Sequence, residues 1–445
     1  MKRTILHQLK KWQNDPSRKP LLIRGARQVG KTFIIRELAR HFPDFVEINF
    51  ELRPEAIKIF DHDLDPVRIT RDLGLLIGKK IIPGETLLFF DEIQDAPKAI
   101  TALRYYYEIL PEIHVIAAGS LLEFELEKTG MPVGRISSMY MYPLSFMEFL
   151  KARNEDLLIE TLLNHHVVEQ LSEVVHRKFL LLLGEYLTVG GMPEVVKCFI
   201  DSGDLFRCFN IQRTIVDTFR QDFRKYALKY QLQYVELLFN SIPSLLGQKF
   251  KFSGVPGEYR KRELAPCLEL LLKAYLAHKI THSSGQGIPL AAQVHPESFK
   301  INFLDVALSQ TLLGVDPGAW ILTPDINFIN KGPITEALVG QELLAYMLPE
   351  RKNELYYWHR EARSSNAEVD YLLQQEDRII PLEVKSGATG KLKSLRMFLE
   401  NYRHSPYGIR FSTANFSAEN GIYHYPLYAV AKVIPQSIEL IQSLF

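Results

Sequence analysis

Apolar and polar positions change their period along the chain, and each change marks an element. Ile5, Leu6, Leu9 and Trp12 recur at helical spacing and predict a helix over residues 2–12 that packs against the unit behind it. The loop Asn14-Asp15-Pro16-Ser17 leads into the apolar run Leu21-Leu22-Ile23, a glycine-rich loop and the helical pattern Phe33 to Arg40. Residues 45–50 alternate with period two, as a strand does. Leu87-Leu88-Phe89-Phe90 and residues 114–118 are instead unbroken apolar runs, the mark of parallel strands covered on both faces. Residues 136–142 predict another strand, and Pro143-Leu144-Ser145-Phe146 a turn into a helix. From 151 to 230 the spacing is helical, with a sharp helix-to-helix corner at Gly190-Gly191 and Pro193. Residues 355–358, 368–373 and 379–385 predict three more strands, and Leu392, Leu395, Phe398 and Leu399 a helix after them.

This order predicts a multidomain α/β chain. At 445 residues it exceeds one ordinary core. The expected division is an α/β domain over 1–150, a helical lid over 151–230, a segment compatible with a winged helix over 231–305, and a C-terminal α/β domain over 306–445. A hydrophobic content of 47% and a charged content of 24% describe an ordinary globular protein. A net charge of +1 gives no global case for nucleic acid, membrane or acidic substrate. Local patches do: Arg207, Arg213, Arg220, Arg224, Lys225 and Lys229 stand against Asp217 and Asp222, and Lys249, Lys251, Arg260, Lys261 and Arg262 against Glu258. On a winged-helix unit such a face would contact DNA phosphates first, and a solvated helical surface carries the same charges. Cys198, Cys208 and Cys267 form no CxxC, so reduced thiols and a cytoplasmic location are expected. No apolar stretch is long enough to span a bilayer, so no membrane partner is expected.

The strongest chemical signal is the stretch from Arg24 to Thr32. Gly25 and Gly30 bracket Ala26-Arg27-Gln28-Val29 and precede Lys31-Thr32-Phe33, a P-loop between a strand and a helix. The glycines allow backbone N–H groups to wrap the phosphates of a nucleotide, with Lys31 a point charge at the β/γ-phosphates. Thr32 opens the helix, where its hydroxyl can hold Mg²⁺. Asp91-Glu92 ends the apolar strand at 87–90, so Asp91 is the second Mg²⁺ residue and Glu92 the group that polarises water. Gly119-Ser120 follows the next strand, which brings Ser120 to the same sheet edge to sense γ-phosphate or water. Arg135 is the candidate finger or phosphate-sensing arginine; if a neighbour supplies that group, the chain must assemble.

RGARQVGKT, LLFFDEIQ, AAGSLL, the Gly134-Arg135 pair before YPLSFMEF, and GEYLTVGGMPEVV at 184–196 resemble an AAA/STAND-like family of bacterial and archaeal P-loop ATPases. That family carries a C-terminal domain long catalogued as of unknown function. The resemblance implies an ATPase of the ASCE type that uses ATP and Mg²⁺, and it supports a winged helix in the middle. It leaves the physiological substrate open.

A second constellation lies near the C-terminus. A two-residue turn at Glu376-Asp377 places Asp370 opposite Glu383, and alternation puts Glu383 and Lys385 on its face. Val369, Tyr371, Leu382 and Val384 are expected to point the other way, into a core. Paired carboxylates suit a hard cation, a second Mg²⁺ or Mn²⁺, and a nearby lysine can stabilise a phosphorane or orient water. The pattern resembles the restriction-endonuclease-like PD-(D/E)xK superfamily. Its upstream helix acid is matched in position by Glu336, with Glu342 the fallback. The leading expectation is ATP-gated action on DNA. The rival is a STAND-type switch that binds a protein partner or a second copy of itself, with a silent C-terminal domain.

Overall fold

The computed structural model describes residues 1–130, 134–315, 332–362, 365–387, 390 and 392–445. Two sheets organise them. The first contains β1 (Leu21–Arg24), β2 (Asp44–Asn49), β3 (Thr86–Asp91), β4 (His114–Ala118) and β5 (Ser137–Tyr140), in the order β2-β3-β4-β1-β5. Every pairing in it is parallel. Parallel strands need crossovers, and the helices that provide them cover both faces. The side chains of β1 and β3 therefore divide by alternation. Ile23 and Phe89 enter one core with the helices Ile5–Asn14 and Lys31–Ala39. Leu22, Leu88 and Phe90 enter another with Pro66–Ile77 and Pro97–Ile109.

A run of helices follows, among them Phe146–Ala152, Glu173–Val189, Pro193–Ser202 and Leu205–Tyr226. The corner at Gly190-Gly191 is present. Gly190 has φ +76° and faces Asp305, whose carboxylate accepts the Gly191 N–H at 2.7 Å. Asp305 also caps the helix Val306–Leu312 through Ala307 and Leu308 N–H. Helices Leu232–Ser241 and Lys261–Lys273 lead into the hairpin β6 (Ala277–Ser283) and β7 (Val294–Phe303).

That hairpin does not stand apart. It joins β8 (Leu355–Ala362), β9 (Ser365–Gln375), β10 (Arg378–Val384), β11 (Gly408–Ser412), β12 (Ser417–Glu419) and β13 (Ile422–Pro426) in one mixed sheet ordered β12-β13-β11-β10-β9-β8-β6-β7. A division at 305/306 thus falls inside a sheet, because β6 pairs in parallel with β8. The helix Gly332–Tyr346 packs in the same core as Leu382, and the helix Lys393–Asn401 brings Phe398 to Trp358 and Leu372 on the other side. No helix among the described residues is long and apolar enough to cross a membrane.

Candidate functional site

The parallel sheet brings the nucleotide motifs to one edge. β4 lies between β1 and β3, so the segments after Arg24, Asp91 and Ala118 emerge side by side. Gly25 has φ +140°, and a Cβ there would collide with the Met141 carbonyl, so the tight turn needs glycine. Lys31 Nζ donates to Gly25 O at 2.9 Å and Ala26 O at 2.8 Å. Burial pushes its ammonium down to about 8, and a bound phosphate would relieve the cost of that charge.

Thr32 Oγ1 lies 3.1 and 3.3 Å from the two oxygens of Asp91, whose side chain also accepts from Asn49 Nδ2 at 3.2 Å. Burial, then the charge of Glu92, raises the Asp91 carboxyl above its ordinary range. A hydroxyl and a desolvated carboxylate converging beside a lysine are a donor set that fits Mg²⁺. Glu92 sits at φ +50°, an uncommon conformation for a non-glycine residue. Its carboxylate accepts from Gln94 Nε2 at 2.7 Å and lies 3.4 Å from Ser120 Oγ. Phe33, at the opening of the helix, is 43% exposed.

Arg135 is not brought to this edge. Parallel pairing of Leu21 with Ser137 puts it at the opposite end of the strands, about 16 Å along the chain direction from the residue beside Arg24. There Arg135 Nε pairs with Glu108 at 2.8 Å, so a finger or sensing role within one chain is corrected to a surface ion pair.

Arg27, in the middle of the P-loop, instead reaches the helix Leu205–Tyr226. Its Nη1 contacts both Asp222 oxygens, at 2.7 and 2.9 Å. Phe124 and Tyr226 stack nearby with centroids 4.4 Å apart. Arg3 supports the loop from beneath, donating to Val29 O at 3.0 Å and Tyr142 O at 2.7 Å. Local sequence marks neither Arg3 nor Asp222 for these tasks; Gln94 at least lies within the DEIQ stretch.

At the C-terminal constellation, the hairpin register is the expected one. Arg378 pairs with Gln375 and Leu382 with Tyr371, where the ladder ends, and beyond it Asp370 Oδ2 accepts from Val384 N at 2.7 Å. One face assignment is corrected. Val369 packs with Trp358, Leu372 and Phe398, away from Tyr371, Leu382 and Val384 in the larger core. The cause is a register shift in the β8–β9 pairing: Tyr356 faces Leu372 but Trp358 faces Val369, so β9 carries an extra residue at 370–371. Such a bulge re-aims a side chain, here Asp370.

Glu336 arrives from the helix Gly332–Tyr346, and a lysine that the sequence does not single out arrives with it. Lys300, on β7, lies 2.8 Å from Glu336 Oε1 and 3.7 Å from Asp370 Oδ1, and pairs with Glu368 as well. Against the cost of burial, these carboxylates hold its ammonium charged well above the usual lysine range. Burial, then Asp370, pushes Glu336 up to about 8, and the same two causes push Glu383 up to about 7. Lys385 pairs with Glu383. The only sequence signal for Lys300 is alternation with Phe299 and Ile301, which marks a polar position in a strand but names no partner. Glu342 is not part of this cluster. It accepts the Phe146 N–H at 3.0 Å and the Tyr186 hydroxyl at 2.8 Å.

The set does not fit a divalent metal as it stands, because an ammonium already sits among the carboxylates. Among the described residues no group of three or more His, Cys, Asp or Glu is arranged to hold a metal ion. The basic patches are partly neutralised: Arg220 pairs with Asp217, Lys225 with Asp222 and Lys261 with Glu297. Arg207, Arg213, Arg224, Lys229, Lys251, Arg260 and Arg262 are exposed.

Comparison with known proteins agrees with the N-terminal architecture. Residues 17–150 match the profile of the AAA domain. Residues 181–319 and 331–430 match two domains of unknown function, DUF8612 and DUF4143. The N-terminal unit is thus a P-loop domain of the AAA type. Among solved structures, a Walker-type ATPase of Pyrococcus abyssi is similar at 19% identity and TM-score 0.43, over 69% of this chain and 94% of that one. The ORC1 protein of Aeropyrum pernix, solved in complex with DNA, is similar at 14% identity and TM-score 0.29, over 72% and 93%. A STAND protein of Pyrococcus horikoshii with a tetratricopeptide repeat sensor gives 12% identity and TM-score 0.27, over 75% and 47%. No curated protein sequence matches the chain.

Proposed function

We propose that the chain is a Mg²⁺-dependent ATPase that couples hydrolysis to DNA binding or processing through its C-terminal units. The observation that carries the ATPase reading is the convergence of Lys31, Thr32, Asp91 and Glu92 on one sheet edge. The P-loop backbone and Lys31 bind the phosphates, and Thr32 and Asp91 hold the metal, which neutralises phosphate oxygens when bound. Glu92, oriented by Gln94, accepts the proton of the attacking water, and Ser120 stands where it can sense the change. The contact from Arg27 to Asp222 gives the nucleotide a route to the helix Leu205–Tyr226 and its exposed arginines.

A second reading has its own observation. Lys300 among the carboxylates favours a STAND-like switch whose C-terminal domain is catalytically silent and whose nucleotide state governs a protein partner or self-assembly. The test compares wild type with Lys31→Ala and Glu92→Gln. Lys31→Ala should lose nucleotide binding, whereas Glu92→Gln should bind ATP and turn over at least about 100-fold more slowly. Fluorescence anisotropy with duplex and branched DNA, in ATP and in ADP, should show nucleotide-dependent affinity that falls steeply with salt. Retained ATPase activity with no DNA binding in either state would overturn the first reading in favour of the switch.

A further inference from the structure

Around Lys300 the chain gathers carboxylates and sets a cation of its own among them. Carboxylates from the helix Gly332–Tyr346 and from β9 converge, and the lysine ammonium stands within 2.8 Å of Glu336 and 3.7 Å of Asp370, with Glu368 as its third partner. The side chain has no exposed surface. On another side the Tyr357 ring centroid lies 5.2 Å from Nζ, a contact that favours a desolvated cation. A hard divalent ion would need the same oxygen lone pairs at about 2.0–2.6 Å. Two cations cannot share them, because at such separations their repulsion is strong where water is excluded.

We infer that Lys300 is the resident cation of this cluster, a plug that keeps divalent metal away from Glu336, Asp370 and Glu383. The inference rests on reading those residues with Lys385 as a nuclease-like constellation. Plug and carboxylates come from different parts of the chain. Lys300 lies on the β6–β7 hairpin, within the segment that matches one family profile, and the acids lie within the segment that matches another. The plug is therefore delivered by the hairpin that extends the sheet beyond β8. Lys385 does not share this role: it pairs with Glu383 and is 31% exposed.

The test reads metal binding in nucleotide-free full-length protein, so that no phosphate recruits metal to the P-loop. Thermal unfolding is followed in EDTA and in Mn²⁺ for wild type, Asp370→Asn, Lys300→Met and the Lys300→Met/Asp370→Asn double variant. Wild type should be indifferent to Mn²⁺. Lys300→Met should melt lower than wild type in EDTA, since it leaves acids facing one another, and rise by several degrees when Mn²⁺ is in about hundredfold excess over its Kd. The double variant should lose that response. Mn²⁺ stabilisation of wild type that disappears in Asp370→Asn would overturn the plug. A folded Lys300→Met that ignores Mn²⁺ would instead overturn the nuclease-like reading beneath it. Should Lys300→Met fail to fold in EDTA, recovery on refolding in Mn²⁺ is the expected result, and failure in both conditions counts against a metal-competent cluster.

Discussion

Arg3 illustrates how a single side chain can serve a site that its own sequence does not announce. Its guanidinium holds the carbonyls of Val29 and Tyr142 and pairs with Glu148 at 3.1 Å, all in the interior. Val29 belongs to the P-loop, so Arg3 ties the loop to the first residues of the chain. Removing the guanidinium takes a donor from two buried carbonyls and the cation from a buried carboxylate that is left with Thr4 and Ser145 as donors, a costly state. Arg3→Met should lower the melting temperature and weaken ATP binding by about tenfold, equivalent to about 1.4 kcal/mol. Isothermal titration with a slowly hydrolysed ATP analogue measures it; unchanged affinity in a destabilised variant would reduce Arg3 to a fold anchor. Gly25 and Lys31 were legible because their chemistry is local, a turn and a charge at fixed spacing. Arg3 was not, because its acceptors lie far along the chain and only the packed structure brings them near.

At the scale of elements, the same contrast separates a register from a bulge. The turn at Glu376-Asp377 fixes how β9 meets β10, so the pairing of Arg378 to Leu382 with Gln375 to Tyr371 could be worked out from the hairpin alone. The bulge at 370–371 depends on β8, whose register against β9 no turn residue encodes, and it reverses the expected side of Val369. The helix Leu205–Tyr226 is legible as a helix, while its tie to the P-loop is not. Asp222 accepts from Arg27 in two contacts and pairs with Lys225 at 3.5 Å. A nucleotide that draws Arg27 toward its phosphates must weaken the first of these. Hydrogen exchange in the last turns of this helix should therefore change when the ATP analogue binds. In Asp222→Ala the exchange should be fast in both states and indifferent to nucleotide, with ATP binding itself retained. A nucleotide response that survives the substitution would mean that the stack of Phe124 on Tyr226 carries the coupling instead.

At the scale of the whole molecule, a division into successive domains leaves out how the parts are joined. Glu342 is one junction: from the helix Gly332–Tyr346 it accepts from Phe146, where the P-loop unit ends, and from Tyr186 in the helical unit. Burial pushes its carboxyl up to about 7, so the folded protein holds a proton that the unfolded chain releases near its ordinary value of 4.5. Between those values the folded state binds more protons, and stability from this group falls as pH rises. Glu342→Gln should flatten the wild-type curve across that window, read as the difference in melting temperature between the two proteins. The β6–β7 hairpin is the second junction, and it decides what the C-terminal unit is. Residues 306–445 alone would expose the edge of β8 that β6 covers and strip Lys300 from Glu336 and Asp370. An open edge and a cluster of buried like charges each oppose folding. A 306–445 fragment should therefore aggregate or lack a cooperative thermal transition by circular dichroism. A 277–445 fragment, which keeps the hairpin, should show one. A cooperative transition in the shorter fragment would restore the division at 305/306 and make the hairpin an accessory of the sheet.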